Sequence, residues 1–416
     1  MIAHPSGTGT SSSLIDGPYA WFRLAVSIVL ATIGSVGMWS VVIVLPFVQS
    51  EFGVDRASAS LPYTMTMVGF AAGNVIVGRF VDRLGITIPI VAAALALGVG
   101  FVSAASASAV WQIAFFQGAL IGIGTAASFG PLIANVSHWF RRRRGFAVAA
   151  TASGNYLAGA IWPTVLQGFI QSDGWRATYI GIGIFCVVTM VPLALLLRRP
   201  APNGIADNDG ATAAAPLHSI DISRRTLMIL LMIAGIGCCV AMSMPQVHIV
   251  AYCVDLGYGT ERGAEMLSLM LAGGVVSRLM SGVLADYIGG VRTLLLGAAL
   301  QCIVLLFYLP VDGLASLYAI SLIFGLSQGG IVPSYAIIMR EYFPANEAGQ
   351  RVGIVIMATI MGMALGGWLS GWIYDLTGSY QAAFLNGIGW NLLNLSIVAL
   401  ILWRSHATAM RLGRAV

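Results

Sequence analysis

The sequence predicts an all-α polytopic membrane protein, with twelve transmembrane helices arranged as two six-helix bundles. Three observations carry this. Hydrophobic residues make up 58% of the chain and charged residues only 9%, far below the roughly one quarter expected of a soluble domain. The apolar residues fall into twelve runs, and a helix needs only about 20 residues to cross the hydrocarbon core. The two halves of the chain also resemble each other. Crossing by helices follows because backbone groups in lipid must be satisfied within their own segment.

In chain order the first six runs cover 22–48, 58–81, 86–106, 110–137, 145–170 and 176–197. The second six cover 226–254, 263–285, 292–310, 314–339, 350–373 and 380–404. The opening segment, MIAHPSGTGTSSS, is polar and has no charged-then-apolar leader, so the first helix is expected to direct insertion. The one long polar break is 199–225, "RPAPNGIADNDGATAAAPLHSIDISRR". Its Pro, Gly, Ala, Asn and Asp content reads as a flexible linker. The chain therefore divides into an N-terminal bundle (1–198), a cytoplasmic linker (199–225) and a C-terminal bundle (226–416).

All 21 basic residues are arginine. Arg23, Arg79, Arg83, Arg141 to Arg144, Arg198, Arg199, Arg224, Arg225, Arg292, Arg340, Arg351, Arg404, Arg411 and Arg414 fall on one side of the membrane. The other side receives Arg56, Arg176 and Arg262. The positive-inside rule makes the heavy side cytoplasmic and, with an even number of crossings, puts both termini there. The setting expected is an inner (plasma) membrane. Arginines at helix ends, without an extramembrane domain to gather them, do not build a nucleic-acid face.

The repeat is visible in three places. "GRFVDRLG" at 78–85 matches "GVLADYIG" at 282–289, "EFG" at 51–53 matches "DLG" at 255–257, and "WRATY" at 175–179 matches "YQAAF" at 380–384. A repeat over half the chain signals a duplicated transporter whose site lies between the halves near the bilayer midplane.

Gly78, Asp82, Arg83 and Gly85 stand as Gly-x-x-x-Asp-Arg-x-Gly, and Gly282, Asp286 and Gly289 repeat the pattern with Tyr287 in place of the arginine. In this the sequence resembles the major facilitator superfamily. The resemblance implies that these residues, Asp286 included, latch the two bundles on the cytoplasmic side in the outward-open state. A carboxylate facing a helix N-terminus gives that latch a physical basis. "DGPYAW" supplies Asp16, Gly17, Tyr19, Ala20 and Trp21, with Pro18 as a departure. "WFRRRRGFA" supplies Trp139, Phe140, Arg142, Arg143, Arg144 and Ala147. Together these stretches resemble the monocarboxylate transporter branch and bacterial relatives of the oxalate:formate exchanger type. The run Arg141–Arg144 otherwise reads as a topology signal and a lipid-headgroup contact.

Arg278 stands inside the eighth run, eight residues before Asp286. At 1.5 Å per residue that is about 12 Å into the membrane. A charge there costs at least ~2.5 kcal/mol and should face the bundle interior with a partner. Its planar fork fits a carboxylate through two parallel hydrogen bonds; the alternative is a structural arginine held by helix carbonyls or tyrosines. The resemblance implies an arginine at this place in carboxylate carriers. Animal members also carry an aspartate one turn earlier, tied to proton coupling, where this chain has Gly274. His248 lies about seven residues, or ~10 Å, inside the seventh run. It is a candidate substrate or proton contact, or a lining residue that never changes charge. Asn155, Tyr156 and Tyr335 are further candidates for lining the substrate site, although membrane helices also use Asn and Gln as interhelical glue.

The function expected is secondary active transport of small monocarboxylates by alternating access with proton symport. Anion exchange of the oxalate:formate type and a non-transporting carboxylate receptor are the alternatives. An enzyme would need clustered ligands or a nucleophile beside a base, and the scattered histidines and cysteines supply neither. No cofactor, metal or nucleic-acid partner is expected, and the carrier is expected to act as a monomer in the bilayer.

Overall fold

A computed structural model of the chain describes residues 15–199 and 220–411. The polar start and most of the predicted linker lie outside the described residues. The described residues form helices joined by short turns, and a helix stands on each predicted apolar run. In the first half these are α1 (Pro18–Phe52), α2 (Arg56–Leu84), α3 (Thr87–Ala105), α4 (Val110–Ser137), α5 (144–173) and α6 (175–196). In the second they are α7 (Arg224–Asp255), α8 (Gly259–Ile288), α9 (Gly290–Phe307), α10 (Leu314–Tyr342), α11 (Ala345–Thr377) and α12 (Tyr380–Arg411).

The breaks have identifiable causes. α5 and α6 run on as 53 residues of helix interrupted only at Gly174, whose φ of 81° and ψ of 161° reverse the chain. Only glycine takes that conformation without strain. α1 steps at Ser35, between helices Pro18–Gly34 and Val36–Phe52. α4 contains a π-helical turn, Gln117–Gly122, and steps again at Phe129. α10 steps at Gly329 and Gly330, between Leu314–Gln328 and Ile331–Tyr342. Thus α4 and α10, equivalent by the sequence repeat, are both broken near the same level. Broken backbone at membrane depth is tolerated where it lies inside protein or lines a cavity.

Close packing supports the same repeat. A Cβ on Gly69 of α2 would overlap the backbone of Gly118 in α4, and one on Gly325 of α10 would overlap the backbone of Met270 in α8. In both halves, then, the second and fourth helices meet through glycine, as small residues allow in lipid, where packing rather than the hydrophobic effect drives association.

The bundles meet along α2 against α11 and α5 against α8. Tyr63 packs on Gly367, Thr64 Oγ1 donates to the Ala364 carbonyl at 3.1 Å, and Thr164 pairs with Ser268 at 2.9 Å. Arg56, Arg176 and Arg262 all stand at one end of the molecule, the arginine-poor end. At the arginine-rich end the repeat motifs are largely exposed. A Cβ on Gly78 or Gly282 would meet open space, and Arg83 is exposed. Tyr287 is 83% exposed. Asp82 lies in the last turn of α2, its side chain outside the described set, and Asp286 occupies the matching turn of α8.

Candidate functional site

A small cavity of about 80 Å³ opens between the two bundles. The first half contributes Met38, Trp39, Phe70, Phe129, Asn155 and Tyr156. The second half faces them with Met242, Gln246, Arg278, Thr359, Ile360 and Met363, among others. The breaks in α1, α4 and α10 place several of these side chains. Met38 and Trp39 follow the step at Ser35, and Phe129 is itself the step in α4. Trp39 is fixed by its indole N–H, which donates to the Asn155 carbonyl at 3.0 Å.

Arg278 is the only charged side chain among the lining residues. Its Nη1 donates to the Ala152 carbonyl of α5 at 2.9 Å, across the gap between the bundles, and its Nε to the Gly329 carbonyl at 3.3 Å. The Gly329 carbonyl is available because α10 is broken there. The guanidinium carbon lies 4.1 Å above the centre of the Tyr156 ring, a cation–π contact strengthened by desolvation. Both carbonyl acceptors are neutral, and no carboxylate of the described residues pairs with Arg278. The charge is therefore held by dipoles and a ring, which a carboxylate could replace with stronger charge-assisted bonds.

The same geometry explains Gly274. A Cβ at that position would overlap the Tyr156 ring. The space beside Gly274 is occupied by the aromatic ring on which Arg278 rests.

Of the candidates read from the sequence, Arg278, Asn155 and Tyr156 come together on this cavity. His248 and Tyr335 are not among its lining residues. Tyr335 is fully buried within the second bundle and donates to Asn394 Oδ1 at 2.9 Å. His248 is fully buried in the arginine-poor layer, bonded to Tyr380 and to the Gly367 carbonyl. Both miss the cavity for a physical reason: the depth of a residue is readable from its sequence offset, but its azimuth follows from helix rotation and tilt. Sequence reasoning also passed over Met38, Phe70, Phe129, Met242 and Gln246. The apolar ones among these, set in apolar helices, carry no local signal that distinguishes a cavity face from a packed one.

The two stretches resembling monocarboxylate transporters meet in space at the arginine-rich end. The Asp16 backbone N–H donates to the Trp139 carbonyl at 3.0 Å, and its carboxylate accepts the backbone N–H groups of Arg141 and Arg142 at 3.3 and 3.1 Å. Gly17 is the N-cap residue of α1 and Pro18 its first residue, a position where the missing N–H costs nothing. Trp21 stands edge-on to Phe140 at 5.3 Å, with Arg143 5.5 Å over its ring; Arg144 opens α5. Arg23 is 1% exposed and locks this corner, giving two bonds to Asn135 Oδ1, at 3.1 and 2.9 Å, and one to the Leu197 carbonyl at 3.0 Å. The motif residues thus bind the start of α1 to the α4–α5 connection, far from the cavity. Among the described residues no three of His, Cys, Asp or Glu converge as metal ligands.

Comparison with known proteins agrees with this architecture. The sequence profile of the Major Facilitator Superfamily matches residues 27–313 and again 265–415. Monocarboxylate transporter 13 of Bos taurus is 25% identical over 383 residues, 89% of this chain and 86% of that protein. The MFS-type transporter pynF of Aspergillus niger is 25% identical over 79% of this chain and 75% of its own length. Among solved structures, the peptide transporter POT in complex with sulfate superposes with a TM-score of 0.74 at 14% identity, covering 95% of this chain and 98% of that one.

Proposed function

We propose a function from one premise: this chain belongs to the major facilitator superfamily, and it is a membrane transport protein resembling monocarboxylate transporters. The reading is a carrier of small monocarboxylates that works by alternating access, with Arg278 as the anion-binding group. One observation carries it. The cavity between the bundles presents a single charge, and that charge is a guanidinium without a carboxylate partner among the described residues. The apolar lining of Trp39, Phe70, Ile360 and several methionines suits a monoanion with an apolar body. A dianion would bring a second charge with no cation on the wall to meet it.

The arginine-rich end faces the cytoplasm in this reading, by the positive-inside rule. The bundles touch at the opposite, extracellular end, and the repeat motifs are largely exposed at the cytoplasmic end, so the cavity is presented inward. The latch residues Gly78, Arg83, Gly85 and Asp286, with Asp82, belong to the opposite state, in which the cytoplasmic ends close.

Two observations favour anion exchange over proton symport. The Tyr156 ring fills the space where an acid beside Arg278 would stand. In addition, the empty carrier must move with an uncompensated guanidinium, whereas the loaded one is neutral at the site; burying unpaired charge is the costlier passage. The return step is then expected to need an anion. Uptake of radiolabelled carboxylates into proteoliposomes tests both points. Arg278→Ala should abolish saturable uptake and Arg278→Lys should retain a small part of it, since lysine lacks the bidentate fork. Uptake should require anion inside the vesicle, and an imposed pH gradient should not drive accumulation. Unchanged, saturable uptake by correctly folded Arg278→Ala protein would remove the guanidinium from the mechanism.

A further inference from the structure

The duplicated motifs diverge at the arginine-poor end, and the divergence builds a gate. In the first half, Glu51 at the end of α1 is held by Trp175 and Arg176 at the start of α6, at 2.6 Å each. The repeat places Asp255 where Glu51 stands and "YQAAF" where "WRATY" stands, so Tyr380 matches Trp175 and Gln381 matches Arg176. The second half therefore lacks its own arginine for Asp255. The partner comes from the other bundle: Arg56, at the start of α2, forks onto both oxygens of Asp255 at 3.2 and 3.1 Å. An ion pair internal to one bundle has become a clasp between two.

The clasp continues inward as a hydrogen-bond chain whose direction is fixed at both ends. Arg56 Nη1, a donor only, gives to Tyr380 Oη at 2.7 Å. Tyr380 Oη lies 3.0 Å from His248 Nδ1, and His248 Nε2 lies 2.7 Å from the Gly367 carbonyl, an acceptor only. Nε2 must therefore carry its proton. In the neutral ring Nδ1 is then a lone pair and accepts from Tyr380. The bonds from Arg56 through Tyr380 and His248 to Gly367 are all made in one protonation state only. A proton added at Nδ1 strips the Tyr380 hydroxyl hydrogen of its acceptor and sets an imidazolium one oxygen away from a guanidinium. The surrounding charged and titratable groups are already committed. Asp255 is held by Arg56, and Asp375 of α11 accepts the backbone N–H groups of Arg56 and Ala57 at 2.8 and 2.7 Å. Tyr374 and Tyr252 contact the Tyr380 ring, and α8 places Gly263 and Met266 against this part of α7.

We propose that the arginine-poor gate closes only with His248 neutral, so that acid on that side holds the gate open. His248 is then a gate sensor: when the gate opens it meets water and titrates as an ordinary imidazole, and it must release its proton before the bundles can close over it. The proposal rests on the alternating opening described above, but on neither the substrate nor Arg278. The sign is direct: the closed state binds one proton fewer, so falling pH favours the open state, by at most about tenfold per pH unit for one linked proton.

The test uses spin labels at Ser50→Cys and Thr377→Cys, one on each side of the gate, in full-length protein lacking its five buried native cysteines and held in detergent. As pH falls from about 8 to about 5, the range over which histidine changes charge, the long-distance component should grow severalfold. His248→Gln, which cannot titrate, should give one distribution at every pH. Tyr380→Phe, which removes the hydroxyl that protonation would orphan, should flatten the response as well. Distances in otherwise native protein that do not move with pH overturn the proposal even if neither variant folds. The same shift persisting in His248→Gln also overturns it. Loss of carboxylate uptake in Arg278→Ala bears on the transport reading alone, so the two can fail separately.

Discussion

Asp375→Asn is the substitution whose effect follows most directly from the geometry. The Asp375 carboxylate sits over the N-terminus of α2 and takes two of its unpaired backbone N–H groups, one on each oxygen, at 2.8 and 2.7 Å. It belongs to the second bundle and α2 to the first, so both bonds exist only while the gate is closed. α11 approaches closely enough because Gly371 faces the Arg56 carbonyl, where a Cβ would come within 2.9 Å. A carboxylate at a helix N-terminus stabilises by about 0.3–1 kcal/mol, and up to ~2 kcal/mol when partly buried. Asparagine removes that charge and turns an NH2 group toward one of the two donors, leaving a partly buried N–H unpaired. The two effects together amount to about 2 kcal/mol against the closed gate, or roughly a 30-fold fall in the closed-to-open ratio. Spin labels at positions 50 and 377 measure that ratio directly. Asp55→Asn is the control. Asp55 caps Ser58 on the same helix at 2.7 Å but belongs to the same bundle, and its hydrogen bonds with Ser58 hold its carboxyl below the usual carboxylate range. Its loss should weaken folding slightly and leave the gate ratio alone. Equal effects of the two substitutions, or none from Asp375→Asn, would refute a charge–dipole latch between the bundles.

Further expectations follow from the same contacts. Gly274→Ala forces a methyl group into the Tyr156 ring and should cost about 1–3 kcal/mol through overpacking, with uptake falling accordingly. Gly274→Ala with Tyr156→Leu should recover folding, seen as a monodisperse chromatographic peak, without recovering uptake, because Arg278 loses its aromatic support. Arg56→Gln should open the arginine-poor gate in distance measurements, whereas Arg176→Gln, which breaks a pair inside one bundle, should leave distances unchanged. Asp16→Ala removes two partly exposed hydrogen bonds at the opposite end; about 1 kcal/mol of stability should be lost, read as a lower melting temperature with unchanged uptake per folded molecule.

The sequence by itself determined the crossings, because the cost of placing polar backbone or charge in lipid is paid locally and shows in every apolar run. The boundary between α5 and α6 is an example: Gly174 lies in the short interval between two predicted spans. The depth expected for Arg278 likewise comes from the sequence, since helical rise converts an offset from Asp286 into a distance. The repeat located the second half's acid at Asp255 but did not say that its arginine, Arg56, would come from the first. Nor did it put Asp16 against Arg141 and Arg142, or set Tyr156 in the space beside Gly274. His248 shows the limit most clearly. Its burial inside a span was readable, yet its assignment to gate rather than cavity depended on the rotation of α7 and on Gly367 and Tyr380, more than a hundred residues away. Rise along a helix is fixed by covalent geometry and hydrogen bonding, so sequence carries depth. Which faces meet is decided by packing between bundles, an energy shared among many weak contacts that no single stretch of chain contains.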